Sequence, residues 1–131
     1  MARWSDAMKL SDYREHKGYL MAPGVYEIGY IQRDTFYPKY IGKAPVTLYQ
    51  RIRTYGRDLG RSSHNACICE LVEVNYHRLW FHVMRVSRPG GAALREAMLM
   101  RRFSIRDSGL YEWNYRYEYA PLIEAGYLLR Q

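Results

Sequence analysis

Two tyrosine-rich apolar segments, joined by a short polar stretch, constrain the fold of this chain more than any other feature. The first spans residues 25–31, and its alternate positions place three large side chains on one face, as in a half-buried strand: Tyr26, Ile28 and Tyr30. The second spans residues 37–41. Residues 32–35 between them are polar enough to reverse the chain. The pattern therefore predicts an antiparallel β-hairpin.

Helical patterns and a third strand follow the hairpin. Pro45 suits the first turn of a helix, where its missing N–H has no intrahelical partner, so a helix is predicted from Pro45 to about Arg57. Residues 62–65 provide capping side chains for a second helix, which would run to about Val74. Residues 79–86 then alternate as a third strand does.

Further helices are predicted toward the C-terminus, and the N-terminus lacks a clean period. A third helix is expected from Ala92 to about Ile105, and a short last helix after Pro121. Residues 1–23 are interpreted as an N-terminal extension with one short helix. The order of elements predicts an α+β domain with a small central antiparallel sheet of about three strands, flanked by helices.

Charge and length limit the class of partner. The 131 residues suit one domain, and 20 lysines and arginines against 13 aspartates and glutamates give a formal net charge of +7. Such a charge favours polyanions, nucleic acid among them. No segment approaches the roughly 18 apolar residues that span a bilayer, and residues 1–6 lack the apolar stretch of a signal peptide. We therefore expect a soluble cytoplasmic protein without a membrane partner.

The two cysteines do not indicate a disulfide or a metal centre. Cys67 and Cys69 are separated by one residue in a predicted helix, so their side chains point in different directions. Their spacing to His64 and His77 matches none of the usual zinc patterns. Buried free thiols are the preferred interpretation, and zinc is not expected.

Short motifs at both ends of the hairpin carry a family resemblance. Gly24-Val25-Tyr26 begins the first strand and Tyr40-Ile41-Gly42 ends the second, with a charged helix directly behind. This arrangement resembles the GIY-YIG nucleases, and residues 40–44 are similar to a segment of the incision domain of bacterial excision-repair nucleases. The resemblance covers residues 24–114 of a domain taken as 24–131, and further residues follow in matching order: Leu48, Arg51, Tyr55, Glu96 and Asn114.

The chain departs from the family pattern at two points. Arg51 follows Tyr40 by eleven residues (51 − 40), one more than we expect in the family, which indicates an insertion in the intervening loop. Tyr55 stands where many members have histidine. Both departures keep a functional group at the position concerned, but they change the expected local geometry.

The resemblance implies a metal-dependent endonuclease that hydrolyses phosphodiester bonds, with double-stranded DNA as the expected substrate. It implies one divalent ion, Mg²⁺ or Mn²⁺, held by Glu96 and water. Arg51 would hold the scissile phosphate. Tyr40 is the favoured general base, with Tyr26 as the alternative, and either would need nearby cations since a tyrosine ordinarily has a pKa near 10. The catalytic set carried over is Tyr26, Tyr40, Lys43, Arg51, Tyr55, Glu96 and Asn114.

Glu96 can be judged from its neighbours alone. At about 100° per residue, the side chains within about 60° of Glu96 on the predicted helix are apolar: Ala92, Ala93, Leu99, Met100 and Phe103. A carboxylate in such a stripe is costly unless it is paired, protonated or bound to a metal. The pattern therefore favours a site role for Glu96, with a structural ion pair as the alternative.

The other candidates also have ordinary structural explanations. Tyr26 and Tyr40 would pack as core residues with satisfied hydroxyls, Arg51 would stack on Tyr55 at the surface, and Asn114 would cap a turn. On these grounds a binding module without cleavage activity is a second hypothesis. An RNA-binding domain with aromatic side chains exposed on its sheet is a third.

Basic residues on several faces are predicted to contact nucleic acid: Lys43, Arg53, Arg57, Arg61 and Arg102. The segments outside residues 24–114 are too short for a separate target-reading domain. Such an enzyme would be weakly specific or structure-specific, or its specificity would come from a second copy of the chain or from a protein partner.

Overall fold

The computed structural model of the protein describes residues 3–59 and 66–86 together with residues 91 and 96. These residues form an α+β fold around a four-stranded antiparallel sheet. The strands are β1 (Met8–Lys9), β2 (Gly24–Gln32), β3 (Thr35–Ala44) and β4 (Trp80–Arg85), in the spatial order β1-β4-β2-β3. The helices are α1 (Leu48–Gly56) and α2 (Ala66–Asn75), with 3₁₀ helices at Leu10–His16 and Tyr76–Arg78.

The predicted hairpin is confirmed, and it is the centre of the fold. Strands β2 and β3 pair along their whole length and are joined by Arg33 and Asp34, which have φ angles of 53° and 62°. Two consecutive residues of positive φ form the type of tight turn whose twist matches that of paired strands. Because β4 pairs with the other edge of β2, β2 has a neighbour on both sides.

Helix α1 begins later than the sequence predicted. Thr47 is the N-cap, and its hydroxyl accepts a hydrogen bond from the backbone N–H of Gln50 at 3.2 Å. This bond satisfies one of the free donors of the first turn, so Leu48 is the first helical residue. The prediction that Pro45 occupies the first turn is therefore wrong, whereas the predicted end near Arg57 agrees with the last helical residue, Gly56.

The N-terminal residues contribute to the sheet and the core. Strand β1 pairs with β4, which raises the number of strands from the expected three or so to four. Leu10 and Leu20 are fully buried, and Tyr13 is almost so. Tyr13 packs closely against the backbone of Gly56 at the end of α1, where a Cβ atom would lie 2.9 Å from its Cγ. The segment interpreted as an extension thus supports the helix that carries the candidate site residues.

Several predictions concern parts of the chain outside the described residues. These are the cap at residues 62–65, the short helix after Pro121, and most of the helix predicted over 92–105, of which only Glu96 is described. Helix α2 (Ala66–Asn75) and strand β4 (Trp80–Arg85) agree with the predicted segments to within one or two residues. In the described ranges, no helix combines the length and the apolar character needed to cross a membrane.

Candidate functional site

Three tyrosines from three different elements meet on one face of the sheet. Tyr26 comes from β2, Tyr40 from β3 and Tyr55 from α1, and their ring centroids are 6.4 Å (26 to 40), 5.7 Å (26 to 55) and 6.0 Å (40 to 55) apart. All three are buried. The hydroxyl oxygens of Tyr26 and Tyr55 are hydrogen-bonded at 3.0 Å. We refer to these three residues as the tyrosine cluster, and each of them was a candidate on sequence grounds.

The absence of a side chain at Gly42 makes room for this cluster. Gly42 lies directly opposite Tyr26 in the register of β2 and β3. A Cβ atom at position 42 would lie 2.8 Å from Cε2 of Tyr26 and closer still to its Cζ and hydroxyl oxygen. Any side chain there would therefore displace the Tyr26 ring. This close approach gives the glycine of the Tyr40-Ile41-Gly42 motif a physical role.

Backbone hydrogen bonds hold α1 against the segment that precedes β2. The N–H of Leu48 donates to the carbonyl of Ala22 at 2.7 Å, and the N–H of Tyr49 donates to the carbonyl of Leu20 at 2.9 Å. Leu48 and Ile52 are fully buried. With its first turn held in this way, α1 directs Tyr55 toward Tyr26.

The environment of Tyr26 favours its protonated form. Burial raises the pKa of the Tyr26 hydroxyl well above its usual value near 10, and negative charge on Tyr55 or Tyr40 would raise it further. The hydrogen bond with Tyr55 acts in the same direction, whereas the positive charge of Arg51 lowers this pKa. Tyr26 is therefore a neutral hydroxyl at physiological pH. The effect of Arg51 also places its charge within electrostatic reach of the cluster.

Exposed cationic side chains lie on α1, just after it, and near the end of β3. Lys43, Arg51 and Arg53 are all exposed. Arg57 is exposed too, but its Nε forms an ion pair with Oδ1 of Asp58 at 2.8 Å, so part of its charge is neutralised. Of the residues predicted to contact nucleic acid, Arg61 and Arg102 lie outside the described residues.

Glu96 is helical and half-buried. The apolar residues used for that prediction lie outside the described residues, and so does Asn114. Within the part of the chain that the structure describes, no group of three or more His, Cys, Asp and Glu side chains is arranged to hold a metal. The described residues therefore offer no multi-carboxylate cage.

A hydrogen bond between a buried glutamate and a histidine lies on the opposite face of the sheet, and the sequence analysis missed it. Glu27 is buried, and its Oε1 lies 2.5 Å from Nε2 of His82 on the adjacent strand. The His82 ring stacks on Trp4 at 4.1 Å and lies 4.4 Å from the ring of Phe36. A glutamate inside an otherwise apolar strand was a detectable signal, because glutamate is rarely buried without a partner.

The face of the sheet that carries the tyrosine cluster is not an open aromatic platform. Tyr26 and Ile28 are buried, and Tyr30 is half-buried with the guanidinium of Arg78 5.2 Å from its ring centroid. Stacking of RNA bases needs exposed rings. The structure therefore contradicts the hypothesis of an RNA-binding sheet that uses these three side chains.

Comparisons with family models, with curated proteins and with solved structures found no match to this chain. What the described residues define is an α+β domain with a tyrosine cluster beside exposed arginines.

Proposed function

We propose that the chain is a cytoplasmic GIY-YIG-type endonuclease that uses a divalent metal ion to hydrolyse phosphodiester bonds in DNA. The observation that carries the proposal is the convergence of Tyr26, Tyr40 and Tyr55, from separate elements, with the charge of Arg51 acting on Tyr26. These four residues occupy the positions that the family resemblance selects.

The protonation of Tyr26 divides the roles of the tyrosines. A hydroxyl whose pKa is raised by burial stays protonated, so it can donate a hydrogen bond but does not act as the base. We assign to Tyr26 the positioning of the attacking water or of a phosphate oxygen, with Tyr55 holding its hydroxyl. Tyr40 is then the candidate for accepting the proton of the water.

Arg51 provides the charge that the transition state requires. Its side chain is exposed, so a phosphate from solvent can reach it. A planar guanidinium donates two parallel hydrogen bonds to a phosphate and offsets the charge that builds up during attack. Lys43 is also exposed near the end of β3, but it follows Gly42 and therefore belongs to the opposite face of the sheet from Tyr26 and Tyr40.

Glu96 would hold the metal ion. One half-buried carboxylate suits Mg²⁺ or Mn²⁺ bound largely by water, since both ions prefer oxygen ligands. When bound, the ion would supply Lewis-acid stabilisation of the charge on the phosphate oxygens. This donor set does not suit zinc, which is commonly held by several cysteine and histidine side chains.

The proposed substrate is double-stranded DNA. Exposed Lys43, Arg53 and Arg57 support this proposal because sequence-independent binding depends on phosphate neutralisation. Target selection would then come from DNA structure, from a second copy of the chain or from a protein partner.

One observation favours a second candidate function. The tyrosine cluster is buried, and buried tyrosines with bonded hydroxyls commonly serve packing. A domain that keeps this fold and its basic surface would then bind nucleic acid or protein without cleaving it.

Metal-dependent cleavage of plasmid DNA tests the proposal. We expect nicking or linearisation with Mg²⁺ or Mn²⁺ and none with a chelator. Arg51→Ala should lower the single-turnover rate by about 100-fold or more with little change in DNA affinity. Arg53→Ala is the matched control, since it is exposed on the same helix, and it should mainly weaken binding. Retained DNA binding without cleavage under any metal condition would support the second candidate.

A further inference from the structure

Large apolar side chains are exposed at few places in the described residues, and three of them share one region. Tyr19 is 42% exposed, Met21 53% and Val46 68%. The first two belong to the segment before β2, and Val46 belongs to the loop between β3 and α1. Outside this region, Tyr37 and Val74 are also exposed. Single exposed apolar side chains are common, whereas adjoining ones can form a binding surface.

Backbone hydrogen bonds join the segment before β2 to the start of α1, directly after the loop that carries Val46. The N–H of Leu48 donates to the carbonyl of Ala22, and the N–H of Tyr49 donates to the carbonyl of Leu20. The neighbouring Ala44 and Leu48 are fully buried, so the loop that exposes Val46 is anchored at both ends. The exposed side chains are therefore presented by an anchored part of the structure.

Arg85 connects this region with the tyrosine cluster. Gly24 pairs with Arg85, and Tyr26 pairs with Val83, two residues away along β4. Because side chains two residues apart on a strand lie on the same face, Arg85 lies on the face that carries Tyr26. Its guanidinium lies 5.0 Å from the ring centroid of Tyr19, and the residue is exposed.

The positive charge near these residues favours an anionic ligand. Arg85 is exposed beside Tyr19, and Lys17, two residues before Tyr19, is exposed too, in a chain of net charge +7. Proteins that bind unpaired nucleotides combine cations that follow the phosphate backbone with aromatic rings on which bases stack. An exposed tyrosine beside an arginine, with apolar side chains next to it, fits that combination.

We propose that Tyr19, Met21, Val46 and Arg85 form a surface that binds unpaired nucleotides next to the tyrosine cluster. Tyr19 would stack on a base, Met21 and Val46 would contact the sugar or base beside it, and Arg85 would bind the adjoining phosphate. The biological role of this surface rests on the proposed function, because the surface would direct cleavage to sites where single-stranded and duplex DNA meet. Its binding chemistry does not require cleavage.

Binding can be measured on the full chain, with a chelator present so that no cleavage occurs. The probes are a fluorescein-labelled oligothymidylate and a blunt duplex of the same length, followed by fluorescence anisotropy. We expect Tyr19→Ala to weaken oligothymidylate binding by about 5- to 150-fold, the equivalent of about 1–3 kcal/mol for one stacked base, and Tyr19→Phe to bind nearly as the wild type does. Arg85→Ala should weaken binding and reduce the salt dependence by about one phosphate contact.

Tyr37→Ala is the matched control, because Tyr37 is 46% exposed but pairs with Tyr30 near the other end of the hairpin. It should leave the affinity unchanged. Equal affinities of Tyr19→Ala and Tyr37→Ala would overturn the proposal, and so would a dimer, seen by sedimentation velocity, that Tyr19→Ala alone dissociates. Binding that depends on Tyr19 in a protein that never cleaves DNA would overturn the proposed function and leave this surface standing. Cleavage by a protein whose DNA binding does not depend on Tyr19 would support the proposed function and overturn this surface.

Discussion

Replacing Gly42 with alanine tests whether the tyrosine cluster depends on the close approach of Tyr26 to β3. The new Cβ would overlap the Tyr26 ring, which is buried and cannot move outward freely. Overpacking of this kind costs about 1–3 kcal/mol. Displacing the ring also breaks the hydrogen bond between Tyr26 and Tyr55, at a cost of about 1 kcal/mol.

The intrinsic preference of the backbone acts in the opposite direction. Alanine in a strand is favoured over glycine by about 0.5–1 kcal/mol, so without the steric effect Gly42→Ala would stabilise the protein. Combining the three contributions predicts a net loss of roughly 1–3.5 kcal/mol in the free energy of unfolding. The sign of the measured change therefore distinguishes the two effects.

Urea denaturation followed by circular dichroism measures this change, with a constant m value as the check on two-state behaviour. Gly18→Ala is the control, because a Cβ at position 18 meets no atom within 4 Å. It should be neutral or stabilising by up to about 1 kcal/mol. In the Tyr26→Val background, Gly42→Ala should cost less, with a coupling of about 0.5–3 kcal/mol. A cost equal to that of Gly18→Ala, or one that the Tyr26→Val background does not reduce, would refute the steric argument.

Three further predictions concern the site and its surface. Glu96→Gln should abolish metal-dependent cleavage while DNA binding and stability are retained, because the amide keeps the shape but loses the charge; full activity would remove Glu96 from the mechanism. DNA affinity should fall with salt at a logarithmic slope of roughly −4 to −5 if four to six phosphates are neutralised, and a slope near zero would mean that the charge serves another purpose. Because the folded pKa of Tyr26 is raised, its contribution to stability is complete below the unfolded pKa near 10 and is lost as pH rises through the folded value. Alkaline unfolding titrations should therefore show a decline of about 1.4 kcal/mol per pH unit above pH 10 from this residue, absent in Tyr26→Phe.

The sequence by itself determined the hairpin, and through it the site candidates on the hairpin. Alternation over residues 25–31 identifies a strand whatever surrounds it, and the polar residues 32–35 identify the turn. Once two strands pair across a short turn, Tyr26 and Tyr40 must lie on adjacent strands. The spacing of four between Arg51 and Tyr55 likewise places both on neighbouring turns of one helix.

Other features were decided only by tertiary structure. Strand β1 pairs with β4 across about 70 residues of sequence, and the pair between Glu27 and His82 joins residues 55 positions apart. No local pattern in Met8–Lys9 predicts a strand of two residues. The start of α1 at Leu48 depends on the Thr47 cap and on the hydrogen bond from Leu48 to Ala22. Pro45 had indicated an earlier start.

The tyrosine cluster depends partly on local sequence patterns and partly on tertiary structure. Periodicity and spacing assign each tyrosine to its element, because they depend on backbone geometry within a few residues. Whether the three rings meet depends on how α1 packs on the sheet and on the space above Gly42, which arise from contacts between segments far apart in the chain. Secondary structure depends mainly on interactions between residues that are close in sequence, whereas the packing of side chains depends on all segments that share the interior.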